Sequence, residues 1–309
     1  MQQPTARFRY AQVTVAFAAF VIFAGAMVTS TGSGMAVPDW PKSFNSWMPP
    51  MEGGVFYEHG HRMVAGFLGL MVLGLAIWTW IEEKRFWVRA ISWTALLAVL
   101  VQAGLGGLTV LLGTSNDWTH THPVVSSMHA SLAQALFALL VTYAVVTAPS
   151  WVSLSPRRMV QASLAGKASF LPLLVFTQIV VGAAMRQQHV GLIIPDFPLS
   201  YGQLIPSFYS GLVVLNFAHR VGAWLVFGLA VALGLSVLKD AEADPWVQRP
   251  ARLLVAGVSL QFLLGASAVW THLTVPALTI AHVVGASLVF TVSIVLALRL
   301  RRLATGAQA

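Results

Sequence analysis

Eight long apolar runs follow one another along the chain, and they constrain its fold more than any other feature. An apolar helix of about 20 residues crosses the roughly 30 Å hydrocarbon core of a bilayer. Only 9% of the 309 residues are charged, whereas soluble domains carry about a quarter. The sequence therefore predicts an all-α polytopic membrane protein with eight transmembrane helices, at about residues 10–30, 60–81, 89–112, 124–148, 167–186, 211–237, 250–271 and 276–299.

Basic residues are distributed unevenly between the connections. Fourteen of the 18 Lys and Arg residues lie on one side, and the others are Lys42, Arg62, Arg186 and Arg220. Positive charge stays cytoplasmic, so we expect both termini inside and the two longest loops outside. The net charge of +8 then reflects topology and contact with anionic lipid, and it requires no nucleic-acid partner.

Several landmarks recur at nearly one spacing. Both external loops contain a P-D-aromatic-P core, at Pro38–Pro41 and Pro195–Pro198. Asp39 and Asp196 are 157 residues apart, and the two His-Arg pairs at 61–62 and 219–220 are 158 apart. Gln102 and Gln261 are separated by 159 residues, and His129 and His282 by 153. The pattern predicts two tandem four-helix bundles in the same orientation, at residues 1–150 and 151–309.

Four histidines share one predicted depth near the outer face. They lie in the second, fourth, sixth and eighth spans, so each repeat has one pair: His61 with His129, and His219 with His282. A histidine in a membrane helix can have a purely structural role as a packing contact. Polar groups placed there nevertheless usually mark function. Imidazole pairs on facing helices are typical haem ligands. Zinc would need further ligands, and the spans offer few.

Three more residues near these histidines are candidates for function, and one of them distinguishes the two repeats. Arg62 and Arg220 directly follow a histidine, and their guanidinium groups suit haem propionates, although an interfacial arginine can also simply reach the water layer. Glu58 precedes His61 by three residues, whereas Asn216 holds that place before His219. This asymmetry suggests that one site reacts and the other carries electrons, or that Glu58 only favours a helix N-terminus.

The whole pattern resembles the haem A synthase family. The likeness covers residues from about Gly25 to Leu296 and is carried by "TGSGMAVPDWP", "EHGHRMVAG", "QAGLGGLTV", "HASLAQALF", "AHRVGAWLVFGL" and "AHVVGASL". The E-x-x-H-R element with three further embedded histidines is its specific part. The resemblance implies oxidation of the C8 methyl of haem O to a formyl group, giving haem A for terminal cytochrome oxidases.

The resemblance also implies roles for the residues singled out above. His61 and His129 would flank the substrate haem O in the first repeat, with Glu58 as the catalytic carboxylate. His219 and His282 would ligate a resident haem b in the second repeat, and Arg62 and Arg220 would contact propionates. The family implies a bacterial plasma membrane location, with haem O synthase and cytochrome oxidase assembly proteins as partners.

The chain departs from many family members in having no cysteine. Val37 and Ser43 stand where those members carry a cysteine pair in the first external loop, so a thiol-based electron route is in doubt here. Three other functions stay open on the sequence. They are a di-haem b electron-transfer protein of the quinol-linked type, a transporter of parallel repeats, and an assembly factor that uses its histidines only for packing.

Overall fold

The protein is all-helical throughout the part that a computed structural model describes, residues 5–113, 122–152, 162–239 and 244–305. Eight of its helices are long and apolar enough to cross a membrane. Their outward faces carry large apolar side chains such as Leu97, Leu100 and Leu253, each more than half exposed, as expected for contact with lipid. The helices are α1 (Ala6–Ser30), α2 (Gly53–Glu82), α3 (Phe86–Leu111), α4 (Pro123–Val146), the short α5 (Pro149–Val152), α6 (Ala162–Gln187), α7 (Gly211–Lys239), α8 (Pro245–Trp270) and α9 (Pro276–Thr305).

The chain divides into two compact units, Met1–Pro149 and Ser150–Ala309. In the first unit each long helix packs on the next, and α4 returns to contact α1. In the second unit the same order holds for α6, α7, α8 and α9, with α9 against α6. Each unit is therefore a closed four-helix bundle with one order of neighbours.

Six of the eight long helices begin one to seven residues earlier than predicted, and two of them are described here. We expected the second span to begin near residue 60, but α2 begins at Gly53, so Glu58 and His59 are helical rather than part of a loop. We expected the seventh span to begin near residue 250, but α8 begins at Pro245, where Asp244 accepts a hydrogen bond from the Trp246 N–H. Hydropathy alone misses such turns because their residues are polar although the backbone is helical.

The two long loops that are predicted to be external, and are called the external loops below, share one local structure. The Asp39 carboxylate accepts hydrogen bonds from the backbone N–H groups of Phe44 and Asn45, at 2.7 and 2.8 Å. Asp196 does the same for Tyr201 and Gly202, also at 2.7 and 2.8 Å. Backbone N–H donors stabilise the ionised carboxylate, and they hold the pKa values of both Asp39 and Asp196 below the ordinary range.

Candidate functional site

The four predicted histidines lie about two turns inside their helices. His61 and His219 are each the ninth residue of α2 and α7, and His129 and His282 are each the seventh residue of α4 and α9. Within each unit the two histidines are close enough to interact electrostatically. The structure thus brings together the pairs predicted from the sequence, one pair in each bundle.

Each imidazole packs against a glycine on the preceding long helix. A methyl group added to Gly25 would lie 3.0 Å from Cε1 of His61, and the corresponding distance from Gly106 to His129 is 3.1 Å. In the second unit Gly182 faces His219 at 2.7 Å and Gly265 faces His282 at 2.8 Å. The two distances in the second unit are shorter than real Cβ contacts, and the two in the first unit are tighter than most of them. The glycines therefore create the space in which the rings sit.

A glutamine one helical turn before the glycine holds three of these four histidines. The Nε2 amides of Gln102, Gln178 and Gln261 donate to the backbone carbonyls of His129, His219 and His282, at 2.9, 2.8 and 2.9 Å. In the sequence, Gln102 and Gln261 stand out as landmarks of the repeat, whereas Gln178 does not. The shared Q-x-x-x-G spacing could have identified all three as contacts of the histidine helices.

Glu58 and Arg62 form a buried ion pair one turn apart on α2. The Glu58 residue is only 4% exposed, and its carboxylate also accepts a hydrogen bond from the Val37 N–H at 2.9 Å. Arg62 Nη1 donates to the carbonyls of Asp39 and Lys42, at 2.7 and 2.9 Å. The pair therefore fastens the first external loop to α2, and a contact between Arg62 and a propionate stays a prediction.

Arg220 and Asn216 occupy the same places in the second unit with a different bonding pattern. Arg220 donates to the carbonyls of Ile194, Asp196 and Leu199, at 2.6, 2.5 and 2.9 Å. Asn216 accepts from Arg220 Nε at 3.0 Å and donates to the Val190 carbonyl at 2.8 Å. An uncharged amide therefore supports the same loop attachment, and the charge of Glu58 is an added property of the first unit.

His59 is a buried polar residue whose importance the sequence did not reveal. It is 4% exposed, and its Nδ1 lies 2.7 Å from Ser43 Oγ. Its Nε2 is buried and has no hydrogen-bond partner within the described residues. Phe217 stands at the matching position of the second unit, 158 residues on, so His59 is a second polar feature that distinguishes the first bundle.

The donor set fits a haem better than a bare metal ion. Within the described ranges no cluster of three or more His, Asp or Glu side chains is placed to hold a metal ion. Each bundle instead offers two imidazoles, and in the first unit the Nδ1 atoms of His61 and His129 are buried without a hydrogen-bond partner in the described chain. All four histidines keep part of their surface accessible. Two such imidazoles in a helical bundle are residues that would hold a haem iron.

Fold and site together define an all-helical, multi-pass membrane protein with an imidazole pair in each of two four-helix bundles. Residues 51–294 match the family model COX15-CtaA, described as cytochrome oxidase assembly protein. The chain belongs to this family.

Relatives named haem A synthase align along most of the chain. The protein from Alkalihalophilus pseudofirmus is 30% identical, with 85% of this chain and 87% of the relative covered. The protein from Geobacillus kaustophilus is 28% identical over 95% of this chain and 92% of its own length. The protein from Caulobacter sp. is 26% identical, with 97% of both chains covered. The resemblance seen in the sequence is therefore confirmed at the level of the family.

Proposed function

We propose that this protein is a haem A synthase, a membrane oxidoreductase that converts the C8 methyl of haem O to a formyl group. The observation that carries the proposal is the pair of imidazoles in each bundle of a chain that belongs to this family. The quinol-linked cytochrome b alternative explains the imidazole pairs equally well. It gives no reason for Glu58 and His59 to lack counterparts in the second unit.

The second unit is proposed to hold the resident cofactor. His219 and His282 would ligate a haem b, which supplies one-electron transfer when bound. Both residues are held by a glutamine from the neighbouring helix, which supports a fixed pair of ligands. Arg220 fixes the external loop of this unit through three carbonyls, so its role toward a propionate would be indirect unless its contacts rearrange.

The first unit is proposed to hold the substrate, haem O, between His61 and His129. Glu58 lies three residues before His61 and is the carboxylate proposed to act here, and its two hydrogen-bond partners fix it in place. Oxidation of a methyl group to a formyl group releases protons, so a fixed carboxylate can accept a proton or stabilise positive charge. Apolar bundle walls would keep bulk water from the reacting methyl.

Location and partners follow from the family and the topology. We propose a bacterial plasma membrane protein with both termini cytoplasmic and both histidine pairs near the outer face. Haem O synthase would supply the substrate, and cytochrome oxidase assembly proteins would receive the product.

The experiment that tests the function is mass spectrometry of haems extracted from membranes that make haem O, with and without this protein. A new species with the mass of haem A, or of its hydroxylated precursor, is the expected result. An increase of haem b alone would support the electron-transfer alternative. If no haem increases, the histidines serve packing and the proposed function is wrong.

A further inference from the structure

Each of the four histidines packs against a glycine on the preceding long helix. Val21 distinguishes one of these four pairs of helices from the other three. Gln102, Gln178 and Gln261 each precede by four residues the glycine that faces a histidine. On α1 that glycine is Gly25, and the residue four places before it is Val21. Val21 lies on the same face of its helix as the glutamines do on theirs, because residues four apart share a face.

Each glutamine ties its neighbouring helix at the level of the histidine. The amide donates to the histidine carbonyl in an apolar interior, where losing a hydrogen bond is costly. In the second unit the amides of Gln178 and Gln261 also lie 3.0 Å from Nδ1 of His219 and His282. The same amide nitrogen therefore contacts both the backbone carbonyl and the ring of each of these histidines.

In the second unit a glycine also leaves space for each of the two glutamine side chains. A methyl group added to Gly222 would lie 2.1 Å from Oε1 of Gln178, and one added to Gly285 would lie 2.3 Å from Oε1 of Gln261. These glycines follow His219 and His282 by three residues, whereas Val64 and Leu132 hold the matching places in the first unit. The second pair of histidines is therefore the more firmly held.

His61 has none of this support. Val21 offers no hydrogen-bonding side chain, so no glutamine amide from α1 reaches His61, whereas His129 still receives the Gln102 amide at its carbonyl. The ring of His61 is positioned by its packing against Gly25. His61 is thus the least supported of the four candidate ligands.

We propose that Val21 keeps His61 an exchangeable iron ligand, so that haem enters and leaves the first unit by breaking the bond to His61. The proposal rests on the proposed function, because it requires haem in both bundles. A substrate site must release its product, whereas a resident cofactor must stay. The single missing glutamine supplies this difference without any change in the ligand type.

The test measures how fast haem leaves the purified protein. Wild type and variants, loaded in detergent with ferric haem b, are mixed with excess apomyoglobin, and the absorbance change is followed. We expect two phases for wild type, with the fast phase from the first unit. Val21→Gln should slow the fast phase about tenfold, which corresponds to about 1.4 kcal/mol, and should leave the slow phase unchanged.

Three further variants separate the hydrogen bond from side-chain bulk. Val21→Met has nearly the volume of glutamine without its amide, so it should slow the fast phase much less than Val21→Gln does. Gln178→Met removes one of the two glutamine amides of the second unit and should accelerate the slow phase about tenfold, equivalent to about 1.4 kcal/mol. Gly222→Ala, which displaces Gln178, should act in the same direction. Electron paramagnetic resonance should show a changed low-spin signal in the affected unit only.

Each outcome decides the proposal. An unchanged fast phase in Val21→Gln, or equal slowing by glutamine and methionine, overturns it. If Val21→Gln does not fold, an unchanged slow phase in both Gln178→Met and Gly222→Ala overturns it instead. Failure of the wild type to bind any haem overturns the proposed function itself, which distinguishes the two failures.

Discussion

Glu58 anchors the first external loop and is also the proposed catalytic carboxylate. Its contacts explain why Glu58→Ala cannot distinguish these two roles. Its carboxylate neutralises Arg62 and accepts the Val37 N–H, so it anchors the first external loop whatever else it does. Removing one member of a buried ion pair costs roughly 3–5 kcal/mol. Loss of activity in Glu58→Ala would therefore mix a structural defect with a chemical one.

Glu58→Gln separates the two tasks. The amide keeps an acceptor for Val37, and Asn216 shows that an amide at this place is compatible with the arginine that follows. We expect near-normal haem content and a small drop in melting temperature, but a decrease in conversion of haem O of at least about 100-fold, the usual range for a lost acid or base. Haem extraction and mass spectrometry of the variant measure the conversion.

Asn216→Gln is the matched control in the second unit. It lengthens an amide without changing charge, so it should disturb the loop attachment while conversion stays within a few-fold of wild type. If Glu58→Gln converts haem O as fast as wild type, Glu58 is a loop anchor and has no part in the chemistry.

At the residue scale, spacing alone predicted which residues would pair but not what else they would contact. The histidine pairs follow from the helix order and from equal depths, both of which are properties of the sequence. The partners of Arg62 are loop carbonyls of Asp39 and Lys42. Every residue has a carbonyl, so nothing in a sequence marks these two. His59 was missed for a related reason, since its burial depends on the loop that brings Ser43 to it.

At the element scale, α8 contains a proline that leaves one backbone carbonyl without its helical donor. An arginine from another helix donates to that carbonyl instead. Pro250 has no N–H, so the Trp246 carbonyl four residues earlier lacks its helical donor. Arg299 on α9 donates to that carbonyl at 2.6 Å, and its guanidinium lies 4.8 Å from the centre of the Trp246 ring. The arginine thereby joins the beginning of α8 to the end of α9.

A double-mutant cycle tests this repair. Arg299→Met should cost about 1.5–3 kcal/mol, the usual contribution of a hydrogen bond to a charged group. In a Pro250→Ala background the new backbone N–H can satisfy the Trp246 carbonyl, so Arg299→Met should cost measurably less. Melting temperatures of the four proteins in one detergent give the coupling. Additive losses would mean that the arginine acts through the tryptophan ring or through lipid.

The external loops make a pH-dependent prediction. Hydrogen bonds from the backbone N–H groups of Asn45 and Phe44 hold the pKa of Asp39 below its ordinary value of 3.8. A carboxyl group with a lowered pKa in the folded state adds stability above its unfolded pKa, and this stability is lost as the pH falls through the folded value. We therefore expect the amides of Phe44 and Asn45 to lose protection against hydrogen exchange below about pH 4.

Asp39→Asn should remove part of that protection already at neutral pH, because the amide offers one acceptor oxygen in place of two. Hydrogen exchange read by mass spectrometry, corrected for intrinsic rates, measures the change. The second loop, held by Asp196, is the internal control and should be unaffected. Equal protection in wild type and variant would show that the Arg62 contacts hold the loop without the aspartate.

The eight spans were largely predictable because burial in lipid requires long apolar runs, and such runs are visible in any sequence. The helix beginnings were not. The first turns of α2 contain Glu58 and His59, which hydropathy assigns to a loop. Tertiary partners stabilise them as helix instead, since Glu58 pairs with Arg62 one turn later. An i, i+4 pair of opposite charges is a helix signal in its own right, and it was available in the sequence.

At the scale of the whole molecule, two similar bundles that differ at a few positions would account for the proposed separation of a substrate site from a cofactor site. Two bundles with the same order of helices share the histidines, the facing glycines and the arginine-held loops. Glu58 and the buried His59 of the first bundle correspond to Asn216 and Phe217 in the second. Only the first bundle has valine in place of a glutamine. These differences place an extra charge in the first bundle and leave one of its histidines without a glutamine contact, as the proposed reacting site would require.

The orientation of both bundles can be tested because the chain has no cysteine. Glu52→Cys and Gln203→Cys place single thiols at exposed positions of the two external loops, and Lys84→Cys and Arg249→Cys place them at exposed positions on the opposite side. Glu52 makes no side-chain capping hydrogen bond, so its replacement should be harmless.

Since each unit has an even number of spans and basic residues stay inside, we expect a membrane-impermeant maleimide to label the first two variants in intact cells. The other two should react only after the membrane is opened. Labelling of Glu52→Cys without Gln203→Cys would mean that the units are inverted relative to one another, and the predicted parallel repeat would be wrong.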